Sequence, residues 1–144
     1  YLTADELRGL ADTNLVAVGS HAHSHRSLGL LPLDEARQEL LRSREQLQQM
    51  IGREVASFAY PFGTRTDFND QTDRLAFEAG YSVVFNSMHG SIRQGMVGSS
   101  LPRVKVEGGE PPFMFPMIVR GRMDAWRAVD SNLWRLQRVR TEIA

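Results

Sequence analysis

The sequence predicts an α/β fold in which parallel strands alternate with helices. Three short apolar runs are typical of strands, and segments with apolar residues at helical spacing separate them along the chain. Strands that are joined through helices pair in parallel, by right-handed crossovers. With 144 residues and a hydrophobic content of 42%, the chain is long and apolar enough to form one folded domain.

The N-terminal part predicts a short helix followed by the first strand. Thr3 and Glu6 have the spacing of a capping box, so we expect a helix over residues 4–13. The apolar run at residues 15–18 predicts a short buried strand, and Gly19 ends it.

A long second helix is predicted over residues 32–51. Pro32 and the acidic residues after it favour a helix start, and Gly52 marks the end. The expected buried side of this helix consists of Ala36, Leu40, Leu41, Leu47, Met50 and Ile51.

The middle of the chain repeats the alternation. The pattern predicts, in order, a strand over 55–60, a helix over 70–79, a strand over 81–85, a glycine- and serine-rich loop over 89–100 and a short extended segment over 101–106. Pro61 and Gly63 force a bend directly after the first of these strands.

The proline-containing segment 111–116 is expected to break the chain before a C-terminal helical region within residues 112–144. One apolar stripe at helical spacing is formed there by Trp126, Val129, Leu133, Leu136 and Ile143. We interpret it as a packed amphipathic helix with a polar outer face; the alternative is a basic surface for an anionic partner. Residues 1–144 are expected to form a single domain, and the opening residues suggest a fragment of a longer gene product.

The composition excludes several classes of function. The 17 basic and 17 acidic side chains cancel, so no global field favours nucleic acid or a membrane surface. No apolar run approaches the roughly 20 residues that span a bilayer. The chain has no cysteine, so any metal must be held by histidine, carboxylates and water. The compartment stays open between the bacterial cell envelope and the cytoplasm.

Three of the four histidines, His21, His23 and His25, follow the first predicted strand. Imidazole is a common metal ligand, and two histidines four residues apart can reach one ion from a tight loop. The carboxyl edge of a parallel sheet is also where α/β proteins place their sites. We therefore assign His21 and His25 as a metal-ligand pair, with His23 pointing elsewhere. The alternative is a polar loop whose histidines bond only the backbone or water.

Four ordered segments resemble motifs of the polysaccharide deacetylases, the NodB-homology or carbohydrate esterase family 4 group. Residues 18–28 (VGSHAHSHRSL) resemble the family's His-[Ser/Thr]-x-x-His region, and residues 57–63 (SFAYPFG) resemble the next motif in its Phe-Ala-Tyr-Pro branch. Residues 79–85 (AGYSVVF) and 101–104 (LPRV) also fit in order. The resemblance covers about residues 1–106.

The resemblance implies a partial or distorted (β/α) barrel with its site at the carboxyl ends of the strands. It implies a divalent metal, often zinc, with His21 and His25 matching the family's metal histidines. The backbone N–H of Phe62 matches the group that stabilises the tetrahedral oxyanion. Tyr60 and Pro61 would line the sugar pocket, although plain core packing is an equal alternative for Tyr60 and Phe62.

The sequence departs from the family pattern in three places. The Thr-Phe-Asp-Asp motif that supplies the base and the third metal ligand is missing, and Ala59 stands where many members carry an arginine. No histidine follows His89, which makes His89 the remaining candidate for the catalytic acid, or else an exposed loop residue. Asp67 or Asp70 could replace the missing ligand; the preferred alternative is that they cap the next helix or are solvated.

Three functions are therefore compared. The first is a metal-dependent hydrolase that removes N-acetyl groups from an amino-sugar polymer, with residues 1–144 alone expected to be truncated and weakly active or inactive. The second is a non-catalytic domain that binds glycan or is structural, and the third is an amidase of the same fold acting on a small non-sugar amide. A partial barrel also exposes sheet edges, which a homo-oligomer would cover.

Overall fold

The computed structural model describes residues 2–13, 15–96, 100–106 and 111–125. Its helices are α1 (Ala4–Asp12), α2 (Leu33–Ile51), α3 (Asp70–Glu78) and α4 (Met114–Val119), and its strands are β1 (Ser57–Ala59), β2 (Val83–His89) and β3 (Leu101–Arg103). A short 3-10 helix, Leu28–Leu30, precedes α2. The contacts divide the chain into two compact units, one from residues 1–86 and 96–101 and another from 87–95 and the described part of 102–144.

The three strands form one sheet in the order β1-β2-β3. β1 and β2 pair in parallel, with Ser57 opposite Val83 and Ala59 opposite Phe85. Helix α3 makes the crossover between them, as parallel strands require. The predicted α/β fold with parallel pairing is therefore confirmed.

Helices α1 and α2 confirm the local signals in the sequence. The Thr3 hydroxyl oxygen accepts a hydrogen bond from the N–H of Glu6, and the Glu6 carboxylate accepts one from the N–H of Thr3, which completes the predicted capping box. At the end of α2, Gly52 adopts a left-handed conformation with φ 65°, as a C-terminal glycine does.

The core of the first unit lies between α2, α3 and the sheet. Its fully or almost fully buried side chains include Leu28, Ala36, Leu40, Val55, Phe58, Tyr60, Ala76, Tyr81 and Val84. On α2, the predicted core residues Leu41 and Met50 are instead 40% exposed, while Glu39 and Ser43 are buried. The buried side of α2 is therefore partly polar, which the apolar pattern alone does not reveal.

The predicted first strand is wrong. Of the described residues 15–20, only Ser20 pairs with β1, as an isolated parallel bridge to Phe58, and residues 15–18 form no strand. Leu15 is 90% exposed and Val16 46% exposed, so the apolar run is not buried here. An apolar run predicts a strand only where a neighbouring backbone can pair with it, and none of the described residues pairs with 15–18.

Two further corrections concern the C-terminal half. β2 continues to His89, so residues 86–89 belong to a strand and His89 does not lie in the glycine-rich loop. Helix α4 includes Pro116, which was expected to break the chain. Pro116 is the third residue of this helix, where a backbone N–H has no partner inside the helix, so the missing N–H of proline costs no helical hydrogen bond. The predicted stripe from Trp126 onward lies outside the described residues.

None of the helices in the described part of the chain has both the length and the apolar character of a bilayer span.

Candidate functional site

The histidine loop, residues 21–27, leaves the sheet directly after Ser20. Ser20 is fixed to β1 on both sides, because its N–H donates to the Ser57 carbonyl at 2.9 Å and its carbonyl accepts from the N–H of Ala59 at 2.9 Å. Within the loop, Ala22 and His25 have positive φ angles of 63° and 59°. These two residues turn the chain tightly. Residues with a side chain rarely adopt this left-handed conformation.

This turn brings the rings of His21 and His25 together. Their centroids are 4.9 Å apart, and the ring planes meet at 69°. The Nδ1 atom of His21 lies 2.7 Å from the Ala59 carbonyl oxygen. Because a carbonyl only accepts, Nδ1 carries the proton, and in the neutral ring Nε2 is left as the acceptor nitrogen.

His23 takes a different direction from its two neighbours. Its Nδ1 atom lies 3.1 Å from Oε1 of Gln46, on α2. It therefore contacts the helix rather than joining the His21–His25 pair.

A buried carboxylate on α2 holds the middle of the histidine loop. Both oxygens of Glu39 accept hydrogen bonds from Ser24, one from its N–H at 2.7 Å and one from its hydroxyl at 2.6 Å. Burial by itself raises the pKa of Glu39, but the hydrogen bonds from Ser24 and the contributions of His23 together outweigh it, so the pKa is lowered overall. Glu39 is therefore ionised when it accepts the hydrogen bonds from Ser24.

A second polar contact joins the same helix to the sheet. The hydroxyls of Ser43 and Ser20 are 2.7 Å apart, and both residues are buried. The sequence analysis missed Glu39 and Ser43, although their spacing from Ala36 and Leu40 places all four on one side of the helix.

The proline bend, residues 60–63, lies at the carboxyl end of β1. Phe62 has a φ angle of 60°, and the N–H of Gly63 donates to the Pro61 carbonyl at 2.6 Å, which closes a three-residue turn. Within the described chain, the N–H of Phe62 has no hydrogen-bond acceptor. The Phe62 ring is 59% exposed and meets the His25 ring edge-on, with centroids 5.0 Å apart.

Tyr60 anchors the proline bend in the core. The residue has no exposed surface, and its hydroxyl donates to Oδ1 of Asp73 at 2.8 Å. Burial first, and the neighbouring Asp73 carboxylate second, raise the pKa of the Tyr60 hydroxyl. Pro61 is also fully buried, so the packing of both side chains fixes the bend rather than offering them as a surface.

Asp73 extends this anchor into a buried polar network. Its other oxygen, Oδ2, accepts from the Ser100 N–H at 3.0 Å, and Asn86 donates its amide to the Ser100 carbonyl at 3.1 Å. The proline bend is thereby connected to α3, to β2 and to the start of β3, all within the first unit.

The rings of His21 and His25 lie side by side, but among the described residues no third candidate metal ligand lies with them. Among the described residues, no group of three or more histidine, aspartate or glutamate side chains could hold an ion. Asp70 is exposed as the first residue of α3, and the Asp67 carboxylate is occupied by hydrogen bonds from Ser27 and Thr64. Asn69, rather than either aspartate, caps α3.

His89, the candidate acid, lies in the second unit. It is the last residue of β2, and its Nε2 atom is 3.0 Å from the Met123 carbonyl oxygen. This contact accounts for one ring nitrogen of His89; its role as an acid stays a prediction.

Comparison with known proteins identifies the family. The polysaccharide deacetylase family model matches residues 3–84, which is more than half of the 144 residues. The chain therefore belongs to the polysaccharide deacetylase family. Among curated proteins, none matches the sequence significantly.

Solved structures of this fold are similar to the chain at low sequence identity. BC0361, a polysaccharide deacetylase from Bacillus cereus, superposes with a TM-score of 0.72 at 22% identity, covering 82% of this chain and 36% of that one. IcaB from Ammonifex degensii gives 0.65 at 24% identity, covering 87% and 52%. The BpsB deacetylase domain from Bordetella bronchiseptica gives 0.65 at 22% identity, covering 72% and 48%. The chain thus spans about a third to a half of the structures that it matches.

Proposed function

We propose that this chain is part of a metal-dependent hydrolase that removes N-acetyl groups from an amino-sugar polymer. The observation that supports this most is the meeting of the His21 and His25 rings beside the proline bend. Two imidazoles and an unpaired backbone N–H within one small region are a suitable combination for hydrolysis of an amide.

The proposed roles follow from the contacts of each residue. His21 and His25 would hold a divalent cation, and imidazole ligands suit zinc. When bound, such an ion polarises the acetyl carbonyl and lowers the pKa of a water molecule. The Ala59 carbonyl keeps the His21 ring in the tautomer that presents Nε2, so the ring is prepared for binding before the ion arrives.

The N–H of Phe62 is proposed to stabilise the negative charge that develops on the acetyl oxygen. A donor of this kind acts best when it is already oriented, since no reorganisation is then needed during the reaction. The burial of Tyr60 and Pro61 provides that orientation. The exposed ring of Phe62 adds an apolar surface beside His25 that a sugar ring could contact.

The third ligand and the base are expected from a Thr-Phe-Asp-Asp motif, which residues 1–144 do not contain. We therefore expect residues 1–144 to bind zinc weakly and to show little activity alone, whereas a longer gene product carrying that motif would be active.

A non-catalytic glycan-binding domain is the second candidate. It is favoured by the lack of a third ligand in the described part of the chain. A mutant of BA3943, described as a carbohydrate esterase family 4 pseudoenzyme, also superposes with a TM-score of 0.50 at 23% identity, covering 57% of this chain and 29% of that one. This candidate predicts sugar binding that survives a chelator.

Zinc titration of the metal-free chain by calorimetry tests the metal pair. We expect His21→Ala and His25→Ala each to weaken binding by more than about 100-fold, because loss of even an outer-shell partner costs about 10- to 100-fold. His23→Ala is the matched control, since its ring contacts Gln46 instead, and it should leave the affinity unchanged. Equal zinc affinity in all four proteins would refute the assignment.

Acetate release from an N-acetylglucosamine oligomer then separates the two candidates. A longer gene product with the Asp-Asp motif should release acetate with zinc or cobalt and lose this activity in His21→Ala. If it releases none, and oligomer binding persists in a chelator, the non-catalytic candidate is correct.

A further inference from the structure

Asp67 is a buried carboxylate that the proposed chemistry does not use. The residue is only 6% exposed, in the loop between the proline bend and α3. The sequence offered it as a replacement metal ligand or as a helix cap. The structure gives it neither position, so its burial needs another explanation.

The Asp67 carboxylate joins the two segments of the candidate site. Its Oδ1 accepts a hydrogen bond from the Ser27 hydroxyl at 2.6 Å, and its Oδ2 accepts from the Thr64 N–H at 2.8 Å and from the Thr64 hydroxyl. Ser27 is two residues after His25, and Thr64 is two residues after Phe62. One side chain therefore links the histidine loop to the proline bend.

The backbone around Asp67 strengthens this link. The N–H of Gly29 donates to the Asp67 carbonyl at 2.8 Å. A Cβ atom at Gly29 would lie 2.3 Å from the Thr66 carbonyl oxygen, so only glycine permits this approach. The 3-10 helix that follows the histidine loop is thus in close contact with the loop that carries Asp67.

The link through Asp67 lies next to two residues whose backbone conformation needs support. His25 and Phe62 both have positive φ angles, 59° and 60°, in a region that is unfavourable for residues with a side chain. Conformations of this kind persist only where several surrounding contacts determine them. The contacts of Asp67 hold the chain two residues after each of these two positions, at Ser27 and Thr64.

We infer that Asp67 is a positioning residue that holds the His25 ring against the proline bend. It thereby keeps one metal ligand and the N–H of Phe62 in a single arrangement. Asp67 contacts neither the ion nor the substrate in this role. The inference rests on the proposed function for its purpose, but the positioning itself can be measured without metal or substrate.

The experiment compares Asp67→Ala with Ser27→Ala in the full chain without metal. Nuclear Overhauser effects between the His25 and Phe62 rings report their contact, and amide hydrogen exchange at Thr64 reports the turn. We expect Asp67→Ala to lose the ring–ring signal and the protection at Thr64. Ser27→Ala should lose the ring–ring signal and keep the protection, because the Thr64 bonds to Asp67 remain.

Zinc affinity gives a second measurement. Each of the two variants should weaken binding by about 10-fold, the usual effect of losing an outer-shell partner. Because Ser27 acts through Asp67, the double variant should be no weaker than Asp67→Ala alone. The controls are Asp70→Asn, an exposed aspartate, and Ser82→Ala, an exposed serine, and neither should change any signal.

The outcomes distinguish this inference from the proposed function. A folded Asp67→Ala protein that keeps the ring–ring signal would overturn the positioning role. If Asp67→Ala does not fold, an unchanged ring–ring signal in Ser27→Ala would overturn it instead. If the unmodified chain binds no zinc while Ser27→Ala still loses the ring–ring signal, the metal assignment fails and the positioning role stands.

Discussion

The histidine loop and the proline bend have the same backbone feature but are stabilised differently. Each places a residue with a side chain in the left-handed region, His25 in one and Phe62 in the other. The histidine loop is held mainly by polar groups, with Ser24 on the Glu39 carboxylate. The proline bend is held by the full burial of Tyr60 and Pro61.

This difference indicates how each segment should respond to change. Hydrogen bonds to a charged group depend on pH and on single polar atoms. Apolar burial depends on volume, and a loss of volume lowers the stability of the whole unit. We expect substitutions at the bend to affect global stability and substitutions at the loop contacts to affect local geometry.

The largest effect is expected from Tyr60→Ala. Removing this ring should lower the free energy of unfolding by about 3–5 kcal/mol, the range for deleting a buried aromatic side chain. Tyr60→Phe keeps the volume and removes the bond to Asp73, so it should cost only about 1–2 kcal/mol. Urea unfolding measures both values. Similar losses in the two variants would show that the hydrogen bond, and not volume, stabilises the bend.

The next effect is expected from Gly29→Ala, which tests the close approach of the 3-10 helix after the histidine loop to the loop that carries Asp67. The added methyl would lie 2.3 Å from the Thr66 carbonyl oxygen, so the backbone must move. A cost of about 1–3 kcal/mol is expected for such overpacking. The control is Gly9→Ala, because a Cβ there meets nothing within 4 Å. Equal thermal unfolding midpoints for the two variants would contradict the close contact.

An effect of comparable size, but dependent on pH, is expected from Glu39→Gln. Because the pKa of Glu39 is lowered in the folded chain, its contribution is complete above its unfolded pKa of about 4.3 and disappears as the pH falls through the lowered value. The substitution should cost about 1–3 kcal/mol at pH 7, since an amide cannot accept at both atoms, and less in acid.

The measurement is the free energy of unfolding of Glu39→Gln and of the unmodified chain at several pH values. Glu45→Gln, an exposed position on the same helix, is the control and should show no such convergence. A difference that stays constant down to pH 3 would show that the Glu39 charge does not hold the loop.

The smallest effect is expected from comparing Phe62→Gly with Phe62→Ala. Both remove a ring that is mostly exposed, but only glycine relieves the left-handed conformation. The glycine variant should be more stable than the alanine variant by about 1 kcal/mol. Thermal unfolding measures the difference, and an alanine variant of equal or greater stability would argue against strain at this residue.

Local signals in the sequence predicted much of the fold. The capping box at Thr3 and the terminal Gly52 determine helix ends through contacts within a few residues, so they are visible without the structure. The failed strand at 15–18 depends instead on a backbone neighbour that periodicity cannot detect. The extension of β2 to His89 was missed because residues 86–89 do not alternate between apolar and polar side chains.

The sequence predicted the histidines of the candidate site but not the carboxylates that hold the histidine loop in place. His21 and His25 stand out because three histidines lie within five residues. Glu39 was not singled out, and Asp67 was assigned to a ligand position, a cap or solvent, since a charged residue is usually exposed and only its partners show otherwise. Ser24 and Ser27 lie in the histidine motif itself, and their hydroxyls were the best indication in the sequence that this loop would bind carboxylates.

The bond between His21 and the Ala59 carbonyl has a consequence for sequence variation. Because the acceptor is a main-chain atom, any side chain at position 59 leaves the imidazole tether intact. Proline is the exception, since the N–H of Ala59 donates to the Ser20 carbonyl and would be lost. A homologue can therefore have an arginine or an alanine at this position and keep the same orientation of its imidazole.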